Sequence, residues 1–459
     1  MATNDPKLET QLIHHLHETT YADLDPAAVE CCKRLIMDTI GVAFPGRSAP
    51  GVPEMVSLMA SWGGDRGASV LFEPFKIAPP MAAMVNSTMM HALDFDDTLD
   101  ASALHTFVTV LPAALAASEA AEKPVDGKRF MAALVLGVDL ICRLSLGIHR
   151  PLSWIRTATC GSFGAAAAAA KILGLDREQI SNALGIVYAQ TAGNAQGLLE
   201  GRLVKRMQPA FAASAGVTAA FLAAKGVTGS RAFLTGDYGY YSLYEQGDLD
   251  EALVLDGLGE HFTIGDLSIK PYPCCRMTHA AIDAALAARE RINAIDHLER
   301  VEVKVSSMVV EMVGKPFCIG HNPQVDAQFS IPYTVATALL YGDVFLGDFE
   351  PEAVRREAVN ALAARVHVSE NPNLAPKDIL PATLRAVGGN GESFEVRINA
   401  PLGNPLHPVD DARCRQKFSK CIQYSGIAFE ETKREDWLAQ IENLENLADV
   451  CRLIAPLTR

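Results

Sequence analysis

The fifteen positions from His91 to His105 read HALDFDDTLDASALH. They place Asp94, Asp96, Asp97, Thr98, Asp100 and His105 within a dozen positions, between two apolar helical segments. Carboxylates and imidazole at this density suit metal binding or proton transfer. A calcium loop of the EF-hand kind needs glycine at its sixth position, where Leu99 stands, and a closing glutamate, which is missing. A magnesium site needs partners that the sequence does not identify. A solvated acidic loop with helix-capping aspartates is the plain alternative. The functional reading is a loop that holds a carboxylate and a histidine for acid–base work, with no metal. His105 is then base or acid and Asp94 orients it.

Three further segments carry complementary groups. In GRLVKRMQP, Lys205 and Arg206 stand just before an apolar helix that starts at Pro209. The helix dipole opposes two cations there, and an incoming carboxylate would resolve the conflict; a solvated basic turn is the alternative. In IKPYPCCRMTHAAIDAAL, Lys270, Arg276 and His279 surround a stretch stiffened by Pro271 and Pro273 that runs into a helix. Cys274 has no partner pattern for a nucleophile and reads as a buried thiol. His279 reads as an acid–base group or as a capped core histidine. In DAQFSIPYTVATALL, Ser330 and Tyr333 sit at the mouth of an apolar helix, where a tyrosine donates a proton or simply packs.

The elements that must position these groups fall into three stretches. Up to about residue 255 the pattern is helical, with apolar residues at helical spacing over 27–42 and 126–146. The run Ala165 to Ala170, followed by Lys171 and Gly174, marks a helix packed closely against others. After about residue 266, Val301, Val303 and Val305 alternate, as do Val366 and Val368, and GGNG separates two extended runs in a hairpin pattern. Helices return over 331–341 and 351–364, and again beyond residue 409. The expected fold is mainly α. A large all-helical domain is formed by both chain ends (1–265 and 405–459), with a smaller α+β domain (266–404) inserted.

The chain has 459 residues, of which 49% are hydrophobic and 20% charged, enough for one large core or two ordinary ones. A net charge of −14 argues against nucleic acid and anionic membranes as partners. It leaves room for a small anion in a local basic pocket. The polar N-terminus lacks the pattern of a secretory signal, and no stretch reads as a membrane span. Ten cysteines without a C-x-x-C suit reduced thiols in the cytoplasm.

Taken together and in order, HALDFDDT with His105, TATCGSFGAAAAAAKILGLD, VKR before an alanine-rich helix, KPYPCCRMTHAAIDAAL, DAQFSIPY and a C-terminal KFSKC helix resemble the MmgE/PrpD family over nearly the whole chain. KPYPCCRMTH is the most specific of these blocks. The family includes 2-methylcitrate dehydratase, cis-aconitate decarboxylase and iminodisuccinate epimerase. The resemblance implies a helical domain with a smaller α+β lid, a homodimer, and no metal or organic cofactor. It assigns the site to Asp94, Thr98, His105, Lys205, His279 and Tyr333. Two positions depart from the pattern: Ile155 and Gln208 stand where many relatives carry histidine, and Arg156 follows Ile155.

The implied chemistry is proton removal beside a carboxylate of a small di- or tricarboxylic acid. Lys205, Arg206 and Arg156 would clamp carboxylates, with Lys270, Arg276 and Thr98 also contacting the substrate, and His279 or Tyr333 would donate the second proton. A 2-methylcitrate-type dehydration is the expected reaction. Epimerisation, decarboxylation and a non-catalytic binding protein on the same fold are the alternatives.

Overall fold

In the computed structural model, which describes residues 7–63, 67–151, 153–292, 295–389 and 392–458, helices start where the sequence supplies caps. Asp25 accepts from the Ala28 amide at 2.8 Å and opens α1 (Pro26–Gly46). Next come α2 (Pro79–His91) and α3 (Phe107–Glu119). Asp126 accepts from the Arg129 amide at 2.8 Å and opens α4 (Gly127–Leu146). Then follow α5 (Arg156–Leu173), which stops at left-handed Gly174 with φ 67°, and α6 (Val204–Ala224). Beyond them lie α7 (His279–Arg289), α8 (Ile331–Tyr341) and α9 (Asp411–Ser425). The chain is mainly α.

Contacts group the chain into two compact units, Met1–Leu267 with Asp411–Arg459, and Ser268–Asp410. In the first unit, α5 forms the centre, with α3, α4 and α6 packed on it. Every residue from Ala165 to Ala170 is buried, because small side chains let neighbouring backbones approach. At Gly216 of α6 a Cβ would lie 2.5 Å from the Ala165 side chain and 2.6 Å from the Ala166 nitrogen. Among the described residues α6 alone is long and apolar enough to cross a membrane by length and composition, yet most of it is buried against these helices.

One helix start differs from the sequence reading. Pro209 was expected at the first turn, but α6 begins at Val204 and runs through the proline. Lys205 and Arg206 therefore lie inside the first turn, not ahead of it. An interior proline removes its own N–H from the ladder, here the donor to the Lys205 carbonyl, and its ring crowds that carbonyl, yet the helix continues through it.

The second unit is built on a four-stranded sheet of β1 (Leu298–Val305), β2 (Val366–Glu370), β3 (Ala382–Gly388) and β4 (Ser393–Ile398), in the order β2-β1-β3-β4. β1 runs parallel to β2 and antiparallel to β3, and β3 pairs antiparallel with β4. The alternation of Val301, Val303 and Val305 is the buried face of β1. α7 packs on β3 and β4, and α8 packs beside α7. The pairing of β3 with β4 fits the hairpin expected at GGNG, although Asn390 and Gly391 of that turn lie outside the described residues. The helix expected over 351–364 is two short ones, Pro351–Val354 and Glu357–Ala363, because Arg356 turns to ψ 123° between them.

Candidate active site

The site of the first unit grows from the end of α2. His91 is its last residue, and the chain then turns through Asp94, whose φ of 55° is left-handed. Aspartate tolerates that conformation better than most residues. Downstream, Leu99 and Leu104 exchange backbone hydrogen bonds of 2.7 and 3.4 Å, closing a tight loop that brings His105 back to Asp97. The Asp97 carboxylate accepts from the Thr106 amide (2.9 Å), the Thr106 hydroxyl (2.8 Å) and the Phe107 amide (3.1 Å). It thus caps α3. The His105 amide lies 3.2 Å from Thr157 Oγ1 on α5, which ties the loop to the central helix.

Two imidazoles flank one buried carboxylate. Asp96 Oδ2 lies 2.8 Å from His91 Nδ1 and 3.2 Å from His105 Nδ1. His105 Nδ1 is also 2.6 Å from the Asp97 carbonyl oxygen. A carbonyl only accepts, so His105 carries a proton on Nδ1, and its Nε2 is the atom left to take up or release a proton. Burial alone would raise the Asp96 carboxyl, but His91 and His105 outweigh it and hold Asp96 well below the usual carboxylate range. Burial pushes His91 down to about 4, against the pull of Asp96 and with help from Lys205. Burial and the neighbouring Asp96 charge raise Asp97 to about 6, despite its hydrogen bonds from Thr106.

Lys205 reaches this cluster from α6. Its Nζ lies 3.2 Å from Asp94 Oδ1 and 3.3 Å from His91 Nε2. Asp94, Lys205, His91, Asp96 and His105 therefore form one continuous chain of polar contacts. Its two ends remain accessible: the side chains are 15% exposed at His105, 22% at Lys205 and 12% at Asp94, against 0% at Asp96 and 2% at His91. The neighbouring Arg206 is buried, and its Nη1 donates to the Pro50 carbonyl at 3.1 Å.

The remaining residues singled out in the sequence fall into two groups. In the first unit, Thr98 is buried in the same loop. Arg156 opens α5 with its guanidinium 3.4 Å from the Glu245 carboxylate and 3.0 Å from the Arg150 carbonyl, so it faces an internal ion pair. Gln208 clamps the Asn194 backbone, accepting from its amide at 2.6 Å and donating to its carbonyl at 3.0 Å. In the second unit, His279 is the first residue of α7, with Nδ1 3.2 Å from Arg276 Nη1 and Nε2 3.3 Å from the Cys274 carbonyl. Arg276 also donates to the Leu402 carbonyl and to Ser268 Oγ, each at 3.1 Å. Tyr333 donates to the Asp348 carbonyl, and burial raises its hydroxyl above the ordinary range. Lys270 is buried in this unit as well.

Two participants escaped the sequence reading. Asp96, not Asp94, touches His105, and His91 joins Asp96 to Lys205. The only sequence signal for His91 was its place at the end of an apolar helix. The donor atoms of His91, Asp96 and His105 lie within 4.8 Å of one another, a spacing a metal ion could use. His105 Nδ1 is engaged by the Asp97 carbonyl, and the Lys205 ammonium, 3.3 Å from His91 Nε2, disfavours a second cation there. The donor set fits a hydrogen-bonded Asp–His pair better than a metal centre.

The MmgE/PrpD N-terminal domain model matches residues 10–252, and the C-terminal domain model matches residues 272–444. The chain belongs to the MmgE/PrpD family. A cis-aconitate decarboxylase-like protein of Aspergillus oryzae is 27% identical, over 99% of this chain and 98% of its own length. The cis-aconitate decarboxylase of Mus musculus is 26% identical over 97% of this chain and 92% of its own. The 2-methylcitrate dehydratase of Salmonella typhimurium is 22% identical over 85% of each. These MmgE/PrpD relatives are named for lyase reactions of two kinds. Those named as decarboxylases match more of this chain at higher identity, so the preference for dehydration drawn from the sequence has no support in them.

Proposed function

We propose that this protein is a cofactor-independent lyase that transfers a proton at a carbon beside a carboxylate of a small tricarboxylic acid, with decarboxylation of a cis-aconitate-like substrate as its reaction. The observation that carries the reading is the Asp96–His105 pair, with His105 Nε2 left as the working atom, next to the accessible ammonium of Lys205. Lys205 holds a substrate carboxylate, and Asp94 holds Lys205. In a decarboxylation, the bond to the departing carboxylate breaks and carbon dioxide leaves. The electron pair forms a new carbon–carbon double bond, the old one shifts its pair onto the carbon beside a second carboxylate, and that carbon takes a proton. His105 as imidazolium delivers it, with Asp96 stabilising the cation. The relatives named as decarboxylases support this direction.

Dehydration is the second reading, favoured by the relatives named 2-methylcitrate dehydratase. Here neutral His105 removes the proton beside the carboxylate and hydroxide leaves. The two readings separate in one experiment. The protein is incubated with cis-aconitate and with 2-methylcitrate, carbon dioxide release and the product spectra are followed, and rates are recorded against pH. A decarboxylase releases carbon dioxide and loses rate toward alkaline pH as imidazolium is lost; a dehydratase releases none and loses rate toward acid. The His105→Ala variant falls by about 10²-fold or more in either case. Absence of turnover of both acids, together with no thermal stabilisation by tricarballylate, overturns the proposal.

A further inference from the structure

We propose that His91 is a neutral positioning residue that couples Lys205 to the Asp96–His105 pair. The inference rests on the proposed acid–base role of His105 and goes beyond it. Its basis is chemical exclusion at both ring nitrogens. On one side stands a carboxylate, Asp96 Oδ2 at 2.8 Å, which accepts. On the other stands the Lys205 ammonium at 3.3 Å, which as a cation only donates. His91 must then carry its proton on Nδ1 and a lone pair on Nε2. A second proton would set two donors face to face. Of the groups around the ring, His105, whose ring centroid lies 5.0 Å away on the loop, and Lys205 on α6, with Asp94 beyond it, also disfavour a second proton, while Asp96 on the loop favours one and is outweighed. Burial adds the cost of a charge without water.

The consequence is a division of labour. The Nδ1–H takes part of the Asp96 charge that would otherwise act wholly on His105, and so sets how strongly His105 holds its proton. The Nε2 lone pair and Asp94 each take one N–H of Lys205, which aims the third at an incoming carboxylate. An inert buried histidine would do neither.

Two substitutions separate these bonds. In His91→Asn the side-chain amide stands in for Nδ1–H but cannot reach Lys205. In His91→Gln the side-chain oxygen reaches toward Lys205 but no donor stands at the Nδ1 position. The asparagine variant should lose roughly 10-fold in tricarballylate affinity by calorimetry and raise KM for cis-aconitate, with the pH profile of kcat retained. The glutamine variant should keep that affinity, lose roughly 10-fold or more in kcat, and move the His105 limb of the profile to higher pH, because the undivided Asp96 charge favours imidazolium. Wild-type affinity, kcat and pH limb in both variants overturn the proposal. Should the variants not fold, nitrogen-15 NMR of the wild-type histidines decides: an Nδ1–H, non-titrating ring for His91 between pH 5 and 9 is expected, and an Nε2–H tautomer or a titrating ring overturns it. Affinity and tautomer are read without turnover, so a failed search for lyase activity leaves this test intact.

Discussion

At the scale of single residues, the site is decided by which aspartate meets which base. Asp96 lies against His105 and Asp94 against Lys205. Replacing Asp96 with asparagine removes the charge that stabilises an imidazolium, and kcat should fall by about 10²–10⁴-fold with a smaller change in KM. Replacing Asp94 with asparagine preserves a residue that tolerates positive φ and removes the Lys205 counter-charge. There the main change should be in KM for a tricarboxylate. Steady-state kinetics of the two variants checks the pair, and equal effects on both constants would count against the assignment. The sequence made the segment conspicuous and the histidine identifiable, but it gave Asp94 the orienting role. The direction of each side chain depends on the left-handed turn at Asp94 and on the Leu99–Leu104 closure, and no spacing rule contains either. The setting of Arg156 was hidden for a related reason. Its partner Glu245 lies 89 residues away and does not announce itself in the sequence.

At the scale of elements, helical periodicity and caps located α1, α4 and α8 closely, and the alanine run located the body and end of α5 but not its start at Arg156. They failed at α6, where the proline looked like a helix start. That error matters, because the true start at Val204 puts Lys205 on a helix whose position α5 fixes through small residues. Gly216 is the tightest of these points: the Cβ of an alanine would meet the Ala165 side chain at 2.5 Å and backbone atoms of 165–166 at 2.6 and 2.7 Å. Backbone cannot yield as the tip of a side chain can. Gly216→Ala should therefore destabilise the protein by about 1–3 kcal/mol in urea unfolding. It should also weaken tricarboxylate binding more than it slows a bound substrate, since α6 carries Lys205 and not His105. An unchanged midpoint would mean that the helices separate at little cost.

At the scale of the whole molecule, the site writes itself into acid stability. His91 falls from 6.5 in the unfolded chain to about 4 in the folded one. Between those values the unfolded state binds a proton that the folded state refuses, so this group's contribution is present above pH 6.5 and is lost as pH falls toward 4. The loss amounts to at most about 3 kcal/mol at ~1.4 kcal/mol per unit, a large share of the ~5–15 kcal/mol that holds a typical domain together. Asp97 has the opposite sign. Its carboxyl rises from 3.8 to about 6, so the folded state holds a proton that the unfolded state has released, and this contribution is present at low pH and lost as pH rises through 6. The two windows overlap between about 4 and 6, where they oppose each other, and the wild-type curve alone does not separate them. The difference between wild type and His91→Gln does. Asp97 remains in both proteins, so the difference reports the histidine together with its hold on Asp96. The variant should lose less stability than the wild type on acidification from pH 7 to pH 4, by as much as ~3 kcal/mol, in urea unfolding followed at each pH. Parallel curves would show that His91 takes up its proton in the folded state as readily as in the unfolded chain. In that case burial and Lys205 would not be holding it neutral against the pull of Asp96.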